Sequence, residues 1–233
     1  MTDLSESEIR ARLDRVRERI SHAARDAGRA PDSIGLLAVS KTKPAAAVRA
    51  AHACGQIAFG ENYLQDALAK QDALEDLALE WHFIGPIQSN KTRDIATRFD
   101  WVHTVERAKI ARRLNDQRPD EQPPLNVCIQ VNISAEASKS GIAPTDVADL
   151  AACIAKLPRL RLRGLMAIPA RAATLDEQRA PLRALAELRD ALCARGYDLD
   201  TLSMGMSGDL EAAILEGSTL VRVGTDVFGA RTP

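Results

Sequence analysis

Residues 35–60 read GLLAVSKTKPAAAVRAAHACGQIAFG. Gly35–Ser40 is a short apolar run, Pro44–Ala53 an alanine-rich segment of helical character, and Ile57–Gly60 a second apolar run. Pro44 at the front of the helical segment and Gly55 just past it are the expected start and stop signals. Proline presets the first helical turn, and glycine tolerates the left-handed exit. The stretch is therefore a strand–helix–strand unit, and the chain goes on to repeat it. Further apolar runs fall at Trp81–Gly85, Trp101–Val105, Leu125–Asn132, Leu160–Ile168, Thr201–Met204 and Thr219–Gly224. Helical patterns separate them; Pro144-Thr145-Asp146 opens one, and another covers Thr174–Arg195 and stops at Gly196. Eight strands alternating with helices predict a (β/α)8 TIM-like barrel, with a doubly wound parallel sheet as the alternative. An amphipathic helix precedes the barrel over residues 4–27, where Leu4, Ile9, Leu13, Val16, Ile20 and Ala24 recur at helical spacing before Gly28 and Pro31. The segment Arg118–Pro124 is rich in proline and charge but too short for a linker, so residues 1–233 read as a single domain.

The 233 residues are 45% hydrophobic and carry a formal charge of -1, from 31 basic and 32 acidic side chains. Such a balance argues against a general nucleic-acid or membrane-surface binder. Eight aromatic residues leave Leu, Ile, Val and Ala to fill the core. Cys54, Cys128, Cys153 and Cys193 lie far apart without metal-type spacing and read as buried or reduced thiols. The N-terminus is acidic and polar, unlike a secretory signal, and no run approaches the ~20 apolar residues that span a bilayer. A cytoplasmic protein is the expectation.

In a barrel of this kind, reactive groups sit where strands end. Lys41 falls within a residue of the first strand end. Lys43 and the barrel wall would both disfavour an ammonium there, and a neutral amine is what attacks an aldehyde. The second strand leads into Phe59-Gly60-Glu61-Asn62-Tyr63, in which Asn62 either faces the mouth or caps the next helix. His82 lies inside its strand and reads as a hydrogen-bonded core histidine, and Gln88, Ser89, Asn90 and Lys91 can cap the helix that follows. The last two strands run into Ser203-Met204-Gly205-Met206-Ser207-Gly208-Asp209 and Arg222-Val223-Gly224-Thr225. Loops after strands seven and eight are the usual phosphate cradle of the fold: glycines let the backbone approach, and Ser207 and Thr225 add hydroxyls. Arg222 is a charge within an apolar strand and needs a partner, either a salt bridge or the ring nitrogen of a cofactor.

Taken together, Leu36–Pro44, Phe59–Tyr63, Trp81–Lys91, Ser203–Ser207 and Val221–Thr225 resemble the pyridoxal phosphate homeostasis protein family, and the match runs essentially end to end. The resemblance implies a barrel like the N-terminal domain of alanine racemase. It implies that Lys41 carries pyridoxal 5′-phosphate as a Schiff base, and that Ser207, Gly224 and Thr225 hold the phosphate beside Met206. It further implies that Arg222 faces the ring nitrogen and that Asn62 lies near the cofactor. The only difference from the expected pattern is Gly208 beside Asp209. The function implied is binding, buffering and delivery of the cofactor to apo-enzymes, without a catalytic residue or a metal. Racemases with this barrel add a β-rich domain and a tyrosine base; here the chain ends nine residues after Gly224, and neither Tyr63 nor Tyr197 is placed as that base. A monomer is therefore expected, with a small amino-acid racemase as the alternative function. A metal-dependent hydrolase using His82, His103, Glu61 and Asp209 would need a ligand cluster that the spacing does not suggest. Lys139 is read as a solvated loop lysine or as a temporary acceptor of the aldehyde.

Overall fold

The computed structural model describes residues 5–134, 136 and 139–230. Eight parallel strands close in chain order: β1 (Gly35–Val39), β2 (Ala58–Glu61), β3 (Glu80–Phe83), β4 (Trp101–Val105), β5 (Leu125–Gln130), β6 (Leu160–Met166), β7 (Thr201–Ser203) and β8 (Leu220–Val223). β1 pairs with β2 on one side and with β8 on the other, so no edge remains and the doubly wound alternative is overturned. The helices are α1 (Glu6–Asp26), α2 (Ala45–Ala53), α3 (Leu64–Ala73), α4 (Thr92–Arg98), α5 (Ala108–Gln117), α6 (Val147–Ile154), α7 (Leu175–Cys193), α8 (Leu210–Leu215) and α9 (Thr225–Phe228).

Local chemistry accounts for the boundaries. Ser5 caps α1 and Glu8 reaches back to it in a reciprocal capping box; Leu4, the expected start, lies outside the described residues. Thr174 and Glu177 repeat the same device on α7. Pro44 stands at the cap of α2 rather than at its first helical residue, and Pro144 opens a 3-10 turn ahead of α6. Two expected caps are absent: no side chain caps α3 at Asn62 or Tyr63, and none from Gln88 to Lys91 caps α4. The apolar stripe of α1 is buried, and the helix packs across α2, α8 and α9. It thereby sits under the loops that follow β7 and β8. All four cysteines are free thiols; Cys54 and Cys128 are buried, whereas Cys153 and Cys193 are half-buried. Among the described residues, no helix is long and apolar enough to cross a membrane.

Candidate functional site

At the C-terminal end of the barrel a cavity of about 500 Å³ opens between the loops after β1, β6, β7 and β8. Lys41, Met206, Ser207, Arg222, Gly224 and Thr225 all line it. Asn62 does not; its side-chain oxygen is buried without a hydrogen-bond partner among the described residues. Its backbone is pressed against Gly85, where a Cβ would stand 2.1 Å from the Asn62 carbonyl, so only glycine permits that approach.

Lys41 is held out by a strained turn. The Lys43 N–H donates to the Ser40 carbonyl at 3.0 Å, and Thr42 between them adopts φ +64°, a region that β-branched residues rarely enter. The Lys43 ammonium donates to the Ala230 carbonyl at the chain's far end and takes no part in the cavity lining. Beneath the turn lies a buried trio. The Ser40 hydroxyl and the Lys70 ammonium both donate to the same Glu61 oxygen at 2.6 Å, and Lys70 also donates to the Ser40 carbonyl at 2.7 Å. Burial raises the Glu61 carboxyl above its ordinary range, and the Lys70 charge opposes that shift. The trio grips the residue before Lys41 from two sides.

The opposite wall is a cup of donors. In the turn after β7, Asp209 accepts from the Met206 N–H at 2.6 Å, and among the described residues the Ser207 and Gly208 N–H groups donate to no backbone carbonyl. Gly224 lies where a Cβ would come within 3.1 Å of the Val39 carbonyl. At the start of α9 the Val227 and Phe228 N–H groups donate to the Gly224 carbonyl, whereas among the described residues the Thr225 and Asp226 N–H groups donate to no backbone carbonyl. Arg19 of α1 braces both halves of the cup: it donates to the Ser207 carbonyl at 3.0 Å and ion-pairs with Asp226 at 2.6 Å and Glu211 at 2.8 Å. No sequence signal separates Arg19 from an ordinary solvated arginine on the polar face of α1. Lys70 gave a weak one, since it continues the buried stripe of Leu64 and Ala67.

The cavity floor is Arg222, only 4% exposed. Its partners are neutral rather than carboxylates: the Ser203 carbonyl and hydroxyl, and the Ala167 carbonyl. Burial lowers its pKa to about 10, which leaves it cationic at neutral pH. Ser203 continues a polar row through the lumen, to His103 at 2.8 Å, then His82 at 2.9 Å, then Glu80 at 2.6 Å. His82 is thus the hydrogen-bonded core histidine expected. The hydrolase constellation does not assemble, because Glu61 and Asp209 are engaged elsewhere and no cluster of three metal-ligating side chains occurs among the described residues. Lys139 is half-buried and donates to the Ile168 and Pro169 carbonyls; Ala135, Ala137 and Ser138 beside it lie outside the described residues.

Burial above all, and after it the neighbouring His82 ring and the Arg222 cation, which any charge on the ring would face, hold the His103 imidazole well below its ordinary range. The unfolded chain then binds a proton at His103 below about pH 6.5 where the folded chain does not. Stability should therefore fall with pH by about 1.4 kcal/mol per unit from this group. Between about pH 7.5 and 5.5, urea unfolding should show His103→Gln losing about 1.4 kcal/mol less stability than the parent. The opposing contribution of Glu61 is common to both proteins and cancels; equal slopes would contradict the buried neutral imidazole.

The family model described as alanine racemase, N-terminal domain, matches residues 11–232. A pyridoxal phosphate homeostasis protein of Pseudomonas aeruginosa is 63% identical over 225 residues, covering 97% of this chain and 96% of that one. The chain belongs to the pyridoxal phosphate homeostasis protein family. The member from Escherichia coli (strain K12) is 55% identical over 228 residues, with 97% of each chain covered. Among solved structures, PipY of Synechococcus elongatus with PLP bound is similar at TM-score 0.82 and 36% identity, over 95% of this chain and all of that one. Alanine racemase of Corynebacterium glutamicum, at 16% identity and TM-score 0.67, shares the barrel; the match covers 95% of this chain and 62% of the racemase.

Proposed function

We propose that this protein is a cytoplasmic carrier of pyridoxal 5′-phosphate that holds the cofactor through Lys41, keeps its free concentration low and hands it to apo-enzymes. The observation that carries the reading is the meeting, in one cavity, of an amine on a turn, a buried guanidinium and a glycine-lined cup of donors. The family's name and the PLP-bound relative support it. The donor set fits the cofactor. Bound pyridoxal phosphate supplies an aldehyde that condenses with an amine. Lys41 offers that amine, Ser207, Thr225 and nearby backbone N–H groups bind the phosphate, and Arg222 donates to the ring nitrogen. An arginine there cannot hand over its proton, so it holds the ring without turning it into a strong electron sink. Asn62 stands behind the mouth with an unused oxygen. Tyr63 is 53% exposed and Tyr197 packs on the core; neither lines the cavity, which favours the carrier over a small racemase.

The test is a titration of the protein with pyridoxal phosphate, followed by visible absorption. A saturable protein-bound band is expected. Arg19→Ala, which frees both halves of the cup, should weaken binding about 10-fold, roughly 1.4 kcal/mol. A protein that shows no band with excess cofactor would overturn the proposal.

A further inference from the structure

The polar row between Glu80 and Arg222 has a direction. Arginine donates and never accepts, so the Ser203 hydroxyl oxygen must accept from the Arg222 Nη1 at 2.8 Å. The hydroxyl's own hydrogen then needs an acceptor, and His103 Nδ1 stands 2.8 Å away. At the other end Glu80 is exposed, and its bond to His82 holds its carboxyl below the usual range. A carboxylate only accepts, so His82 Nε2 carries a hydrogen toward it at 2.6 Å. The remaining link, between His82 Nδ1 and His103 Nε2 at 2.9 Å, has room for one hydrogen. Placing it on His103 Nε2 fills every link once and leaves His103 Nδ1 bare for Ser203. The reverse assignment strands the Ser203 hydroxyl hydrogen and adds a second cation to a row whose inner members are at most 4% exposed. The His103–Ser203 contact joins β4 to β7, which are not neighbours in the barrel, so the row crosses the lumen.

We propose that Glu80, His82, His103 and Ser203 are positioning residues for Arg222, joined in a one-way hydrogen-bond chain, Arg222 to Ser203 to His103 to His82 to Glu80, with each imidazole protonated on Nε2 alone. The chain fixes the Ser203 lone pair on the guanidinium and so sets the direction of the donors left for the cavity. Its hydrogens all point away from the cavity, so the barrel interior offers a bound ring a fixed donor and no transferable proton. This consequence rests on the pyridoxal phosphate reading; the chain itself does not.

Nitrogen NMR of histidine-labelled protein without added cofactor tests the chain, with His82→Gln and His103→Gln spectra used for assignment. Both rings are expected as Nε2–H tautomers at about pH 7.5; an Nδ1–H tautomer of His103, or an imidazolium at either site, overturns the chain. Glu80→Leu should lose the single tautomer and Glu80→Gln, which keeps an acceptor, should restore it. Ser203→Ala keeps the carbonyl contact to Arg222 and tests the positioning. It should shift the absorption maximum of bound pyridoxal phosphate and weaken binding about 5-fold, the scale of one lost hydrogen bond. An unchanged spectrum and affinity in Ser203→Ala overturns the positioning role. Wild-type protein that binds no pyridoxal phosphate overturns the cofactor reading and leaves the nitrogen spectra to judge the chain.

Discussion

In a Lys41→Ala variant, pyridoxal phosphate is expected to lose its protein-bound absorption band and to wash off on gel filtration. The other contacts, from Arg222 and the cup after β7 and β8, are non-covalent and remain, so weak binding survives. The loss expected is at least about 100-fold in apparent affinity, or ~2.7 kcal/mol. The fold should persist, because the turn closes through the Lys43 N–H and the Ser40 carbonyl, and alanine leaves both in place. Thermal unfolding of the variant without cofactor should remain a cooperative transition, and its own titration measures the loss. A band that survives in Lys41→Ala places the covalent link elsewhere.

Lys70→Met should be the most destabilising of the substitutions considered. Methionine fills the same space but leaves the Glu61 carboxyl, with no exposed surface, facing the Ser40 hydroxyl alone. Its second oxygen already lacks a partner among the described residues. Removing one member of a buried pair typically costs about 3–5 kcal/mol, more than the pair's net worth, because the uncompensated charge stays behind. Glu61 should escape part of that cost by taking up a proton, since burial already raises its pKa. Urea unfolding should therefore show a loss of about 3 kcal/mol or more at neutral pH that shrinks in acid. The double variant Lys70→Met with Glu61→Gln should recover part of it. A loss below about 1 kcal/mol in Lys70→Met would mean that the trio does not grip the turn as described.

How much of this the sequence disclosed depends on how local each signal is. The barrel is written in neighbouring residues: apolar runs occur eight times, and signals such as Pro44 before and Gly55 after the Pro44–Ala53 segment mark some of the helices between them. Six of the seven expected site residues line one cavity because the position of a residue at a strand's C-terminal end fixes where its side chain opens. Asn62 failed as a cap because its backbone is pressed against Gly85, and Ser89 and Asn90 failed because they are themselves inside a 3-10 turn that runs into α4. The bonds of Arg19 to Ser207 and of His103 to Ser203 join residues 188 and 100 positions apart, and no local pattern records them. The partner of Arg222 was legible as a need but not as an identity. Neutral carbonyls and a hydroxyl meet it, with the nearest carboxylate in its hydrogen-bonded row at the opposite rim.

The most direct measurement is borohydride reduction of the protein mixed with pyridoxal phosphate, followed by peptide mapping by mass spectrometry. A single phosphopyridoxyl group on Lys41 is the predicted result. Label on Lys43, Lys70 or Lys139 in its place, or no label at all, would contradict the assignment of the amine on which the site is built.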